Sequence, residues 1–212
     1  MAASAPSLSA LALASRDLYA AVRRDAPLVQ CLTNFVSMNT AANTLLAIGA
    51  SPAMVHAVEE APEFAALSGA VVINIGTLSA PWLDSMLRTA AAANQAGTPW
   101  VLDPVAHHAT AFRRDAVRRL LELRPAVIRG NASEIIALAG GKSAGKGVDA
   151  RDPVQQAEQA ACELARTHAT VVAVTGEMDY LTDGEREVRV TGGSPLMPQV
   201  TATGCALTAA VG

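Results

Sequence analysis

Residues 69–76, GAVVINIG, place the tightest limit on the fold. The run is almost wholly apolar, bounded by glycines and too short for a core helix. A strand with one wet face would show a polar residue at every second position, and this one does not. Continuous apolar strands are buried on both faces, as in a parallel sheet covered by helices on both sides. Residues 170–175, TVVAVT, repeat the pattern, and further strands are expected at 27–33, 51–55, 99–104 and 125–129. Helical segments lie between and around them at 8–24, 38–48, 80–96, 112–123, 131–140 and 153–168, and a last helix opens near residue 201. In the first, Leu8, Leu11, Leu18 and Val22 share one face. Gly49 and Gly97 stand where helices close. Asp183 and Gly184 form a turn between 180–182 and 185–190, which marks a hairpin. Regular strand–helix alternation predicts an α/β fold with a mostly parallel central sheet, helices on both faces and right-handed crossovers.

Hydrophobic residues make up 51% of the 212-residue chain and charged residues 17%, so one substantial core is expected. The net charge is -3 and no Lys/Arg-rich stripe occurs, which excludes nucleic acid as a partner. Cys31, Cys162 and Cys205 are odd in number and form no Cys-x-x-Cys pair. They argue against a disulfide framework or a structural zinc site and for a reducing cytoplasm. No Lys or Arg precedes Arg16, so the small, apolar start reads as a tail entering a helix rather than a secretory signal. No apolar stretch reaches the length of a membrane span. The expected organisation is one domain over 1–212, with a flexible tail at residues 1–10.

In parallel sheets, ligands bind beyond the carboxyl ends of the strands. Those ends carry Asn34, Gly76, Asp103, Arg129-Gly130-Asn131 and Thr175-Gly176. Thr203-Gly204-Cys205 then opens an apolar helix. Unpaired N–H groups and the helix dipole suit a phosphate there, Gly204 permits close approach, and Cys205 sits where the dipole favours an anion. An ordinary Thr-capped helix with a buried cysteine has the same sequence. Asn131-Ala-Ser-Glu134 suits a magnesium–phosphate cluster, and it suits a capping box equally well. Asp103 and Glu134 are the natural carboxylate pair for magnesium, although Asp103 could instead cap a turn. Arg129 ends a buried strand and requires a phosphate or a carboxylate. Thr175-Gly176 could hold a nucleotide or simply turn the chain. Two lookalikes fail their tests. Residues 140–147, GGKSAGKG, miss the P-loop frame and follow a helix rather than a strand. His107-His108 has no metal-ligand spacing.

Seven ordered segments together resemble the hydroxyethylthiazole kinase family of the ribokinase-like superfamily. They are residues 30–36 (QCLTNFV), 49–54 (GASPAM), 72–76 (VINIG), 102–105 (LDPV), 129–134 (RGNASE), 174–176 (VTG) and 203–208 (TGCALT). The resemblance implies ATP-dependent phosphorylation of 4-methyl-5-(2-hydroxyethyl)thiazole, a step of thiamine salvage. It implies that Met54 contacts the thiazole with Asn34 and Val36 nearby, that Arg129 and Thr175 bind ATP, and that Asp103 and Glu134 hold Mg2+. Ala202 and Gly204 would flank the substrate and the moving phosphoryl group. Cys205 would stand where many ribokinase-like relatives carry a catalytic aspartate. A homotrimer with sites between subunits is also implied, given the full-length chain. Three departures stand out. Ala202 replaces a frequent glycine, Ala106-His107-His108 replaces a glycine-rich stretch, and the chain stops at Gly212 where the family continues through further helices. The alternatives are another ribokinase-like small-alcohol kinase and a non-catalytic nucleotide-binding fragment.

Overall fold

The computed structural model describes residues 8–140 and 153–212. In chain order the elements are α1 (Leu8–Asp25), β1 (Leu28–Leu32), α2 (Met38–Ile48), β2 (Ser51–Ala53), α3 (Ala61–Ala65), β3 (Ala70–Asn74), α4 (Ala80–Ala96), β4 (Trp100–Asp103), α5 (Ala111–Leu121), β5 (Val127–Asn131), α6 (Ala132–Leu138), α7 (Pro153–His168), β6 (Val171–Thr175), β7 (Met178–Thr182), β8 (Glu187–Thr191) and α8 (Thr203–Val211). Short 3-10 turns occupy His107–Ala109 and Met197–Gln199. No described helix is long and apolar enough to cross a membrane.

One sheet runs β2-β1-β3-β4-β5-β6-β7-β8. The pairs from β2 to β6 are parallel, and the β6–β7 and β7–β8 pairs are antiparallel. Every residue of β3 is buried, as its apolar run requires. On one face Ile73, Leu102, Ile128 and Val172 pack with Met86, Val117, Leu120, Ile135 and Leu164 of the covering helices. On the other face Val29, Cys31 and Val72 pack with Ala41 and Leu45 of α2 and Ala209 of α8. Burying one such Leu, Ile or Val side chain contributes about 1.5–3 kcal/mol. A helix as short as α8 is marginal alone, and here Ala206, Thr208 and Ala209 are buried, Ala209 within that second core.

Several boundaries differ from the sequence reading. The expected strand 125–129 lies at Val127–Asn131, because its pairing with β6 extends from Val127↔Val171 to Asn131↔Thr175. Arg129 is therefore mid-strand, not terminal. The expected strand 51–55 stops at Ala53, since this edge strand pairs only with Leu28–Gln30 of β1. α3 was not anticipated; its five residues, APEFA, are too few to show a period. α1 takes in residues 8–10 of the stretch read as a tail. Its expected buried face is only partly used, for Leu18 is 68% exposed. The P-loop lookalike lies outside the described residues beyond Gly140.

Gly49 and Gly97 close α2 and α4 in the left-handed region, at φ 100° and 73°. Ala202 takes the same kind of conformation without being glycine, at φ 66°, as does Ala106 at φ 47°.

Candidate active site

The carboxyl ends of β1, β3, β4, β5 and β6 meet the first turn of α8. A cavity of about 800 Å³ opens there between Arg129, Asn131, Thr175 and Gly176 on one side and Thr203, Gly204 and Leu207 on the other. Asp179 and Val190 of the hairpin and Gly192, Gly193 and Met197 beyond it complete the wall. Thr203 does not cap α8. Its hydroxyl donates to the Val200 carbonyl at 3.4 Å, and the residue entering the helix is Ala202, with no side-chain cap. The Thr-capped reading is thereby corrected.

Arg129 projects from the middle of β5 into the heart of this arrangement, with its side chain 12% exposed. Its Nη2 donates to Thr175 Oγ1, and its Nη1 lies 3.7 Å from Asp103 Oδ2. Its Nε is buried and has no partner among the described residues. The guanidinium passes directly beneath Gly204, where a Cβ would stand 2.8 Å from Nη1. Glycine is needed at that position for close approach, not for an unusual backbone angle.

Asp103 ends β4 and is 1% exposed. Its Oδ2 accepts from Asn74 Nδ2 at 2.8 Å and from Thr208 Oγ1 at 2.7 Å. Burial pushes its carboxyl up to about 6; Arg129 and the Thr208 hydroxyl oppose that, and the Glu134 charge adds to it. Glu134 is held by the N-terminus of α6. Its Oε2 accepts from Asn131 N–H at 2.9 Å, and its own N–H donates to Asn131 Oδ1 at 3.0 Å. The capping box is therefore real. Oε1 accepts from Ala106 N–H at 2.9 Å. The left-handed Ala106 thus turns its amide onto the carboxylate, in the segment where the sequence departs from a glycine-rich pattern.

The two carboxylates suit a hard cation. Asp103 Oδ2 is occupied by Asn74 and Thr208, and the lone-pair capacity left for a cation is on Asp103 Oδ1 and on the Glu134 oxygens. Magnesium is usually held by one or two carboxylates with water and phosphates supplying the rest. Among the described residues no three His, Cys, Asp or Glu side chains converge. The fit is to a cation brought with a polyphosphate, not to an all-protein cage.

Cys205, on the first turn of α8, is partly buried, and its Sγ accepts from Asn34 Nδ2 at 3.4 Å. Asn34 was read from the sequence as a neighbour of a small-molecule substrate. It is buried, with its amide held between Asn74 and Cys205. The next two residues are open, with Phe35 69% and Val36 58% exposed. Met54 lies beyond β2, partly buried against the core that holds Val29, Cys31 and Leu45. Its carbonyl is 3.1 Å from His56 Nδ1, and the His56 ring meets Trp82, which in turn stacks on Phe35, at 4.9 Å in both cases. His107 is buried with its ring edge-on to His108.

Sequence reasoning missed Asn74, Thr208 and the Phe35–Trp82–His56 group. Asn74 carried a signal, as the one polar residue in a strand buried on both faces. Thr208 lies one helical turn after Gly204, inside an apolar helix. The aromatic group depends on α4 and the loop after β2 meeting in space, and no local pattern announces it.

This fold is that of small-molecule kinases. The solved ADP complex of Bacillus subtilis pyridoxal kinase superposes with TM-score 0.63 at 17% identity, covering 87% of this chain and 81% of that one, a likeness of fold alone. The chain belongs to the hydroxyethylthiazole kinase family, whose family model matches residues 19–212. It is 68% identical to the hydroxyethylthiazole kinase of Rhizobium rhizogenes over 196 residues, 92% of this chain and 73% of that protein. It is 59% identical to that of Gemmatimonas aurantiaca over 200 residues, 94% of this chain and 72% of that one. The solved hydroxyethylthiazole kinase of Pyrococcus horikoshii superposes with TM-score 0.83 at 44% identity, covering 91% of this chain and 72% of that one.

Proposed function

We propose that this chain moves the γ-phosphoryl group of ATP to the hydroxyl of 4-methyl-5-(2-hydroxyethyl)thiazole, the phosphorylation that feeds thiamine salvage. The observation that carries the reading is the seating of Gly204, on the first turn of α8, against Arg129, which itself lies beside Asp103. Phosphoryl transfer is governed by positioning and by neutralisation of charge. The polyphosphate lies along the cavity beside Thr175 and Gly176, with Arg129 against its oxygens. The Gly204 and Cys205 amides, free at the start of the helix, receive the transferring group. Asp103 and Glu134 would hold Mg2+, which when bound would offset charge on the phosphates. The hydroxyl oxygen forms the new P–O bond as the bond to ADP breaks. Its proton passes to Cys205 Sγ as the thiol's own proton leaves to solvent, so that the sulfur ends as it began.

Met54, Val36 and Asn34 line the acceptor side, and the adjoining Phe35–Trp82–His56 group offers flat apolar faces to a heteroaromatic ring. Exposed Phe35 and Val36 next to that side support sites shared between subunits of a homotrimer. Use of ATP and the free thiols Cys31, Cys162 and Cys205 support a cytoplasmic setting.

The test is ADP release with a panel of alcohols, with and without magnesium. The thiazole alcohol is expected to give the highest kcat/KM, with activity lost on chelation. A pyridine or sugar alcohol turned over more efficiently would assign another small-alcohol kinase. Binding of ATP and of the thiazole alcohol by calorimetry, with no turnover, would assign a binding fragment.

A further inference from the structure

We propose that Asn74 is a positioning residue that acts on Cys205 through Asn34. The proposal rests on the reading that the Cys205 sulfur serves the transfer step. Asn74 is fully buried on β3 and cannot reach a substrate. Its position is defined by bonds whose directions are not ambiguous. Asn34 Oδ1 accepts from Ser37 N–H at 3.0 Å, so Asn34 Nδ2 faces the other way. There it donates to Asn74 Oδ1 at 2.8 Å and to Cys205 Sγ at 3.4 Å. Asn74 Oδ1 also accepts from Gly76 N–H at 2.9 Å, which leaves Asn74 Nδ2 to donate to Asp103 Oδ2 at 2.8 Å. A backbone N–H can only donate, so both amide orientations are fixed, where amides are otherwise easily assigned backwards.

The result is a connected chain from Asp103 through Asn74 and Asn34 to the sulfur of Cys205, in which Asn34 Nδ2 donates to both of its neighbours. Its back is closed as well, since a Cβ on Gly76 would lie 2.6 Å from Asn34 Nδ2. The Asn34 amide cannot swing away from the thiol while Asn74 is in place. The Asn34 bond fixes where the sulfur stands, and proton transfer from an attacking hydroxyl depends on that placement. The same carboxylate that faces the phosphate side therefore sets the orientation of the group on the acceptor side.

The experiment is a double-mutant cycle on the intact chain, with kcat and KM measured for wild type, Asn74→Ala, Cys205→Ala and the double variant. Residues acting as one unit are non-additive. Asn74→Ala is expected to lower kcat about tenfold in the presence of the thiol and less than about twofold in its absence, with KM for the alcohol little changed. Equal losses in both backgrounds, or a loss confined to KM, would overturn the proposal. If Asn74→Ala does not fold, Asn34→Ala provides the comparison in kcat alone, for it cuts the chain while leaving the Asp103–Asn74 bond. The reading of the substrate is judged on wild type alone. Should another alcohol prove the substrate, that reading fails and the same cycle is run on that alcohol.

Discussion

The Arg129 guanidinium and the Cα of Gly204 are in such close approach that no side chain fits between them: an added Cβ would stand 2.8 Å from Nη1 and 3.1 Å from Nη2. Gly204→Ala must push the guanidinium aside. The displaced group is the end of a flexible side chain, so the fold tolerates the change and the site does not. Melting is expected within a few degrees of wild type, with kcat/KM for ATP lower by about tenfold or more. Wild-type kinetics from this variant would remove Arg129 from the phosphate site.

In the proposed reaction Cys205 takes the hydroxyl proton in a step that needs little base help. Cys205→Ala is expected to leave reduced but measurable turnover, lower by about 10–100-fold. Cys205→Asp is expected to retain or raise it, because a carboxylate also accepts the Asn34 hydrogen bond and a proton. Steady-state ADP release checks both. Two dead enzymes with native melting would show that the sulfur does more than accept a proton.

Burial holds the Asp103 carboxyl at about 6, above its value of about 3.9 in an unfolded chain. Between those pH values the folded protein keeps a proton that the unfolded chain has released. Stability from this group therefore falls as pH rises from about 4 to about 6 and is level above that. Asp103→Asn cannot ionise and lacks the slope. The melting temperature of wild type minus that of the variant should decrease across this window. A difference that rises with pH would mean that its partners outweigh burial.

Ala202 enters α8 at φ 66°, where a Cβ costs about 1–2 kcal/mol. Glycine removes that strain but adds flexibility to the unfolded chain, worth about 0.5–1 kcal/mol the other way. Ala202→Gly is expected to raise the melting temperature by about 1–3 °C. A lower melting temperature by scanning calorimetry would show that the methyl group packs better than its backbone suggests.

The buried strands were legible because burial on both faces leaves an unbroken apolar text, as in β3 and β6. Their ends were less so. Arg129 was read as terminal because Asn131 looked like a helix cap, and it is one. However, pairing with β6 carries the strand to the cap itself, and that register belongs to the neighbour. Asp103, Glu134, Arg129, Thr175 and Gly204 could be chosen from residue type near expected strand ends and helix starts, and Arg129 lies against Asp103, Thr175 and Gly204. Asn34 could be chosen but not understood, for its partners lie 40 and 171 residues away. The aromatic group was invisible for the same reason, being made by tertiary contact between unrelated segments.

The buried Thr208 hydroxyl ties α8 to the end of β4 one turn after Gly204. The start of that helix cannot tilt without breaking a bond to a carboxylate in the sheet. The facing wall of the cavity is built differently, with residues 192–197 all exposed. Amide exchange in α8 should accordingly report opening of the whole sheet, while amides at 192–197 exchange through local excursions. In the proposed reaction the exposed wall is the side left to give way to nucleotide, while the Thr208–Asp103 bond anchors the helix opposite.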